Sequence, residues 1–150
     1  MTCLFELSIA LLITLLNGFF VMAEYSLVRI RKSRLDELIR QGKSRANTVL
    51  KMSEKHDTYL SATQLGITAS SLLLGWFGGP LLAEMFRGMF GVSAGTWYDH
   101  SLVFACAFLI IVFLHVVFGE LVPRTIALGK VEQVAMAVAY PLVFFHYLLY

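Results

Sequence analysis

The amino-acid sequence predicts an all-α integral membrane protein with three transmembrane segments and a juxtamembrane belt of interfacial helix. Hydrophobic residues make up 58% of the 150 residues and charged residues only 15%, whereas soluble domains carry about 25% charged residues. Three long uncharged runs, with a basic block between the first two, are typical of a multi-pass protein. The length allows one domain.

Residues 1–28 form the first predicted span, and Leu7 to Ala23 contains no charge. Roughly 20 residues at 1.5 Å per residue cross a bilayer core of about 30 Å. A cleaved signal peptide fits poorly, because the positive charge follows the apolar run. Nine of the twelve Lys and Arg lie between Arg29 and Lys55, so the positive-inside rule predicts that the N-terminus lies outside the cell. A basic block flanked by apolar sequence favours a membrane surface over nucleic acid.

Residues 33–55 are predicted to form one cytoplasmic interfacial helix. Apolar residues such as Leu35, Leu38 and Ile39 recur at helical spacing, and basic residues occupy the other face. The alternative is an ordinary cytosolic connector helix.

Residues 58–90 are predicted to form a broken second span. The run from Leu60 to Ala83 is uncharged but rich in Gly, Ser and Thr. We expect Gly78-Gly79-Pro80 to break the helix, because Pro lacks an N–H and disfavours a helical residue before it. Transporters use such broken helices to expose backbone groups to ions.

Residues 101–120 form the third predicted span, which would bring Arg124 to the cytoplasmic side. Residues 131–150 are again apolar and are predicted to form an interfacial or re-entrant helix, with a fourth span as the alternative. The sequence is still apolar at Tyr150, so we expect these residues to belong to a longer protein.

Glu120 is the main candidate for a metal ligand, since an ionisable residue at bilayer depth is costly and usually functional. Gly119 allows close backbone approach, and Pro123 frees a carbonyl one turn earlier. Carboxylate and carbonyl oxygens are the ligands that Mg²⁺ and Na⁺ need. The alternative is that Glu120 only pairs with Arg124, four residues later.

Further candidate oxygen ligands lie in the first two spans, and the alternative for them is close helix packing: Asn17, Gly66, Thr68, Ser70 and Ser71. His115, among aliphatic residues, is predicted to make a hydrogen bond between helices, and the alternative is that it is an ion ligand. Cys3 and Cys106 form no disulfide framework. No catalytic pairing or phosphate-binding loop can be read, so we expect neither enzymatic activity nor a resident cofactor.

Three motifs in order carry a resemblance to a known family. They are Asn17–Val28 (NGFFVMAEYSLV), Ser61–Leu72 (SATQLGITASSL) and Gly119–Arg124 (GELVPR). Here the sequence resembles the DUF21 membrane domain of the CNNM/CorC proteins, long labelled hemolysin-like, and the likeness runs from about residue 5 to 150.

The resemblance implies a homodimer in the cell membrane that exports Mg²⁺, driven by Na⁺ entry. It implies an ion site with Glu120 and, in the broken segment, Ser70, Ser71 and Gly66. The family's CBS pair, which binds ATP, and its CorC-type domain do not lie within these 150 residues, so ATP binding is expected only through such a region. Val21, Ala23 and Ile67 stand where relatives with a Mg²⁺ site have Ser or Asn. The alternative function is therefore a non-transporting membrane anchor and dimerisation domain for a cytosolic regulatory region.

Overall fold

The chain folds into helices throughout the parts that can be described. The computed structural model describes residues 2–90 and 97–149, and these two ranges contain no β-strand. The elements are α1 (Thr2–Arg29), α2 (Lys32–Arg40), α3 (Ser44–Glu54), α4 (His56–Phe90), α5 (Trp97–Leu114), a π-helix (His115–Leu121), α6 (Val122–Gly129) and α7 (Val131–Leu149).

Three stretches of the described residues are long and apolar enough to cross a membrane: Leu7–Arg29, Phe108–Gly129 and Val131–Leu148. They confirm the prediction of an all-α, multi-pass membrane protein. The first two correspond to the predicted first and third spans. The third lies in α7, where an interfacial helix was predicted and a fourth span was the alternative.

The predicted single interfacial helix over 33–55 is wrong, because the chain forms two helices there, α2 and α3. Gly42 has a φ of 81°, a left-handed conformation that ends a helix at little cost only for glycine. The N–H groups of Gly42 and Lys43 donate back to the carbonyls of Ile39 (2.9 Å) and Leu38 (3.1 Å). These two bonds are the Schellman arrangement, which satisfies the last carbonyls of α2.

The predicted break at Gly78-Gly79-Pro80 is also wrong, because α4 runs as one helix through these residues. A proline inside a helix removes one hydrogen bond. Ending a helix inside a membrane would leave several backbone groups unpaired where no water is present, and each unpaired group costs several kcal/mol. Continuing the helix is therefore the better solution.

The third predicted span does not end at residue 120, since the chain stays helical to Gly129. The π-helix lies between α5 and α6, and the N–H of Val122 donates to the carbonyl of Val117, five residues earlier. The wider turn allows the helix to continue into Pro123, which lies in the first turn of α6.

Helix α1 is the centre of the packing. It runs antiparallel to α4, because Phe20 lies against Gly66 while Asn17 contacts Ser70, farther along α4. The buried core surrounds the C-terminal half of α1 and includes side chains from α1, α2, α3, α4, α6 and α7, such as Phe20, Leu27, Leu35, Leu38, Val49, Met52, Tyr59, Ala127, Val138 and Leu142.

Both ends of α7 contact residues at the same end of this bundle. Near its start, Glu132 accepts a hydrogen bond of 2.6 Å from Nε of Arg34, which follows α1 closely. Near its end, the ring of His146 lies 4.5 Å from that of Tyr59, in the first turns of α4. Because α1 and α4 are antiparallel, Arg34 and Tyr59 lie at the same end. The interfacial or re-entrant placement of α7 stays a prediction.

We expect Gly42→Ala to lower the free energy of unfolding by about 1 kcal/mol or more, because a side chain disfavours the left-handed conformation. No atom lies within 4 Å of a Cβ placed at Gly42, so the effect would come from the backbone alone. Denaturant unfolding of the detergent-solubilised chain measures it.

Gly129→Ala is the matched control, because a Cβ there also meets no atom and the backbone is not left-handed. Equal stability of the two variants would contradict the explanation given for the α2–α3 turn.

Candidate functional site

Polar side chains from three elements meet where α1 crosses α4 and the π-helix. We call Asn17, Ser70, Ser71, His115 and the carbonyl of Gly119 the inter-helix polar cluster. Asn17 and Ser70 are both only 1% exposed. Buried polar groups are stable only when they are hydrogen-bonded, so the partners of each member define what the cluster can do.

The carbonyl of Gly119 accepts a hydrogen bond from a side chain of another helix. Gly119 lies in the π-helix, where a carbonyl normally accepts the N–H five residues later. Nδ2 of Asn17 donates to this carbonyl over 2.9 Å. This partner comes from α1, and the expectation that Pro123 frees a carbonyl one turn earlier stays a prediction.

Ser70 joins α4 to the same amide. Its Oγ lies 3.0 Å from Oδ1 of Asn17 and 3.2 Å from the carbonyl of Ile67, and it also reaches the carbonyl of Gly66. A hydroxyl has one proton but two lone pairs, so it can donate to only one of these three oxygens at a time. Four oxygen atoms therefore crowd together around one proton.

Ser71 connects α4 to the π-helix. Its Oγ donates to the carbonyl of Ile67 over 2.8 Å and lies 3.2 Å from Nε2 of His115. The hydrogen bond between helices that was predicted for His115 is thus present. The other ring nitrogen, Nδ1, is buried and has no hydrogen-bond partner among the described residues.

Three glycines allow the helices to approach closely enough for these contacts. A Cβ on Gly66 would lie 2.6 Å from the ring of Phe20, and one on Gly18 would lie 2.9 Å from Cγ of Pro123. A Cβ on Gly119 would meet Nδ1 of His115 at 3.1 Å and Nδ2 of Asn17 at 3.2 Å. Small residues at such crossings let membrane helices pack closely.

Four of the six predicted ligand residues come together in or beside the cluster: Asn17, Gly66, Ser70 and Ser71. The structure does not bring in the other two. Thr68 is exposed, because residues two apart on a helix face different directions. Glu120 is also exposed in the single chain. The described residues contain no group of three or more His, Cys, Asp or Glu that could hold a metal ion.

Arg124 does not pair with Glu120 as the alternative interpretation proposed. Its guanidinium lies over the ring of Tyr25, with Cζ 4.6 Å from the ring centre, which is a cation–π distance. Side chains four residues apart are neighbours on an α-helix. Glu120 and Arg124 are not, because the π-helix that contains Glu120 has a wider turn than an α-helix.

A comparison with known protein families bears on the same residues. The family model described as the Cyclin M transmembrane N-terminal domain, CNNM, matches residues 7–150. The chain belongs to the CNNM family. The match contains all members of the inter-helix polar cluster and confirms the resemblance found in the three motifs.

Several bacterial proteins are similar to this CNNM chain. UPF0053 protein YugS of Bacillus subtilis is 40% identical over 136 residues, which cover 90% of this chain and 32% of YugS. UPF0053 protein YhdT of the same organism is 42% identical over 136 residues, or 90% of this chain and 30% of YhdT. Rv1841c of Mycobacterium tuberculosis, an uncharacterized protein, is 40% identical over 133 residues, 89% of this chain and 38% of Rv1841c. The chain thus spans about a third of the length of these relatives.

Sequence reasoning did not place the backbone oxygen of Gly119 or the free nitrogen of His115 in the site. One signal could have placed these two residues together: His115 precedes Gly119 by four residues, and residues four apart share a helix face. The tertiary partner of each, Asn17 for the carbonyl and Ser71 for the imidazole, is separated in sequence by 102 and 44 residues. Spacing along one helix carries no information about such contacts.

We expect Gly66→Ala to lower the free energy of unfolding by about 1–3 kcal/mol, the usual cost of overpacking a tight site. The new methyl group would overlap the buried ring of Phe20. Thermal unfolding in detergent measures the change.

Gly75→Ala, in the same helix, is the control, since a Cβ there meets no atom within 4 Å. If Gly75→Ala lowered the free energy of unfolding as much as Gly66→Ala does, the cost would not be steric.

Proposed function

We propose that this chain is the membrane domain of a Mg²⁺ exporter driven by Na⁺ entry, and that cations pass through the inter-helix polar cluster. The observation that carries the proposal is the convergence of Asn17, Ser70 and backbone carbonyls at the crossing of α1, α4 and the π-helix. Oxygen ligands in a membrane-spanning region are what a hard cation needs to leave its water shell.

The crowding of oxygens around Ser70 supports this proposal. A cation between these oxygens can attract several of them at once, whereas the single hydroxyl proton can bond to only one. Ser70 would then offer a lone pair to the ion, and Oδ1 of Asn17 and the nearby carbonyls would turn towards it. Mg²⁺ dehydrates reluctantly and keeps several water ligands. An incomplete set of protein oxygens is therefore compatible with a partly hydrated ion in transit.

Glu120 supports a cation path in a different way. It is exposed on the candidate span Phe108–Gly129, and a carboxylate facing lipid at that depth costs a few kcal/mol. We propose that Glu120 lines a water-filled path to the cluster and attracts the cation. A homodimer, with a second copy of the chain covering this side, would shield the carboxylate from lipid. The basic residues between Arg29 and Lys55 favour a cytoplasmic position for that region and an outside N-terminus.

The continuity of α4 constrains the transport motion. Because α4 is one continuous helix, alternating access would move α4 against α1, bend it at Pro80, where helices usually kink, or bend the chain at the π-helix. Single π-helical turns are frequent at functional sites. Opening the cluster requires the Asn17–Gly119 hydrogen bond to break, and a cation bound to the Gly119 carbonyl would compensate for that loss.

The alternative function is a membrane anchor and dimerisation domain with no transport of its own. The observation that favours it is the absence of three clustered acidic, His or Cys residues in the described part of the chain. A neutral cluster of this kind could simply hold three helices together, because interhelical hydrogen bonds in membranes stabilise packing.

Flux measurements separate the two functions. The chain is reconstituted into vesicles that contain a fluorescent Mg²⁺ indicator, and Mg²⁺ movement is followed after a Na⁺ gradient is applied. We expect Na⁺-dependent flux in the wild type and a loss of about tenfold to hundredfold in Asn17→Ala and Ser70→Ala, the usual range when groups at a metal site are removed.

Thr68→Ala is the control, because Thr68 is on α4 but outside the cluster, and its flux should match that of the wild type. Undiminished flux in both cluster variants would rule out the proposed site. Absence of Na⁺-dependent flux and of saturable Mg²⁺ binding in the wild type would support the anchor instead.

Glu120→Ala should abolish Mg²⁺ flux if the carboxylate attracts the cation, and Glu120→Gln should do the same because it removes the charge but keeps the size. In both variants, titration calorimetry should still detect saturable Mg²⁺ binding, because Glu120 lies outside the cluster. The loss of Mg²⁺ affinity should be smaller than the loss of Mg²⁺ flux. Wild-type flux in Glu120→Gln would show that the charge has no role.

A further inference from the structure

We infer that Nδ1 of His115 is a direct metal ligand, and that it makes the inter-helix polar cluster a site for divalent transition-metal ions of the Zn²⁺ and Ni²⁺ class. The inference rests on the part of the proposed function that places cations in this cluster. It adds a nitrogen ligand, which discriminates among divalent ions in a way that oxygen ligands alone do not.

The hydrogen bonds of Ser71 determine which nitrogen of His115 carries the proton. Oγ of Ser71 donates its one proton to the carbonyl of Ile67 at 2.8 Å, so it can only accept from Nε2 of His115 at 3.2 Å. A neutral imidazole has one N–H. With that N–H on Nε2, Nδ1 carries a free lone pair.

The free lone pair lies at the cluster. Nδ1 is buried and has no hydrogen-bond partner among the described residues. It is 3.1 Å from the position that a Cβ on Gly119 would occupy, and Nδ2 of Asn17 is 3.2 Å from the same position. The space that glycine leaves open is therefore bordered by an unprotonated nitrogen and by the Asn17 amide.

Asn17 can offer an oxygen to the same space. Rotating the amide by 180° about its last side-chain bond exchanges Nδ2 and Oδ1, and both orientations fit the same volume. The rotated amide would bring two oxygens, Oδ1 of Asn17 and the carbonyl of Gly119, towards each other. A cation between them, with Nδ1 as a further ligand, makes that arrangement favourable.

The surroundings of His115 match those of known metal-ligating histidines. Such residues almost always donate their other N–H to an oxygen, which fixes the tautomer and the ring orientation. The Ile67 carbonyl, Ser71 and Nε2 form this supporting chain here. A purely structural histidine gains nothing from a buried nitrogen without a partner, because that nitrogen has lost its water.

The identity of the ligand atom sets the ion class. Imidazole nitrogen suits Zn²⁺ and Ni²⁺, whereas Mg²⁺ prefers oxygen. Affinity for sites with nitrogen ligands also rises along the first transition series towards Ni²⁺ and Cu²⁺. The cluster should therefore bind Ni²⁺ more tightly than Mg²⁺, and His115 should be the residue responsible for the difference.

The test is titration calorimetry of the untagged chain in detergent with NiCl₂ alone and with MgCl₂ alone. We expect one saturable Ni²⁺ site in the wild type, tighter than any Mg²⁺ site. His115→Gln should weaken Ni²⁺ binding by about tenfold to hundredfold, the range for altered metal sites, and should lower Mg²⁺ affinity by a smaller factor, since Mg²⁺ prefers oxygen ligands.

His56→Gln is the matched control, because His56 begins α4 at the end of the bundle and lies outside the cluster; its Ni²⁺ affinity should be that of the wild type. Ser71→Ala tests the supporting chain, and a smaller loss of Ni²⁺ affinity than that of His115→Gln is expected. Unchanged thermal unfolding of the variants excludes a folding defect, and the ratio of Ni²⁺ to Mg²⁺ affinity is insensitive to a general loss of folded protein.

Unchanged Ni²⁺ affinity in His115→Gln, or equal losses for both ions, would overturn the inference while leaving Mg²⁺ export intact. Ni²⁺ binding that depends on His115 in a chain that neither binds nor transports Mg²⁺ would support the inference and refute Mg²⁺ export. The two proposals therefore fail in distinguishable ways.

Discussion

The hydrogen bond between Asn17 and the carbonyl of Gly119 is the contact on which the arrangement of the membrane helices depends. Nδ2 of Asn17 lies 2.9 Å from that oxygen, and the bilayer interior offers no water to replace either partner. Losing this bond would leave the buried Asn17 amide unpaired, and an unpaired polar group inside a bilayer costs several kcal/mol. The bond therefore fixes one point of contact between α1 and the π-helix.

The contact also requires steric room, and the glycines provide it. Gly18 lies beside Pro123, Gly66 lies beside Phe20, and Gly119 lies beside His115. Gly18 lets α1 approach α6, Gly66 lets α4 approach α1, and Gly119 leaves room for the Asn17 amide beside the π-helix. Packing and polarity are therefore coupled in this domain: the small residues are needed because the polar residues must meet, and the polar residues hold the helices at that distance.

Much of this organisation could be predicted from residues 1–150, but only where a single segment contained the information. The apolar runs and the basic block predicted an all-helical membrane domain. The three motifs identified the family. Gly78-Gly79-Pro80 misled the prediction, because the rule that proline ends helices weakens where an ended helix would expose its backbone to lipid. Gly42 ended α2 within a segment predicted as one helix, since its left-handed conformation outweighed the apolar periodicity of that segment.

The sequence predicted which kinds of residue form the site, but not which of the candidates come together. Asn17, Gly66, Ser70 and Ser71 were candidates and lie together, whereas Thr68 faces outwards because the face of α4 that meets α1 was unknown from sequence. The relation of His115 to Ser71 crosses between helices, and only the folded chain reveals it. Composition limits the chemistry of a membrane domain, while the rotation of each helix decides which side chains take part.

The π-helix has a consequence for everything that follows it in the chain. An α-helix advances by about 100° per residue, so a turn that takes in one extra residue offsets the rotational phase of the next helix by about that angle. Pro123 and Ala127 are buried in the present phase. In a strictly α-helical chain their places would be taken by neighbours now facing outwards, such as Val122 and Ile126. A single additional residue in one turn thus determines which face of α6 belongs to the interior of the domain.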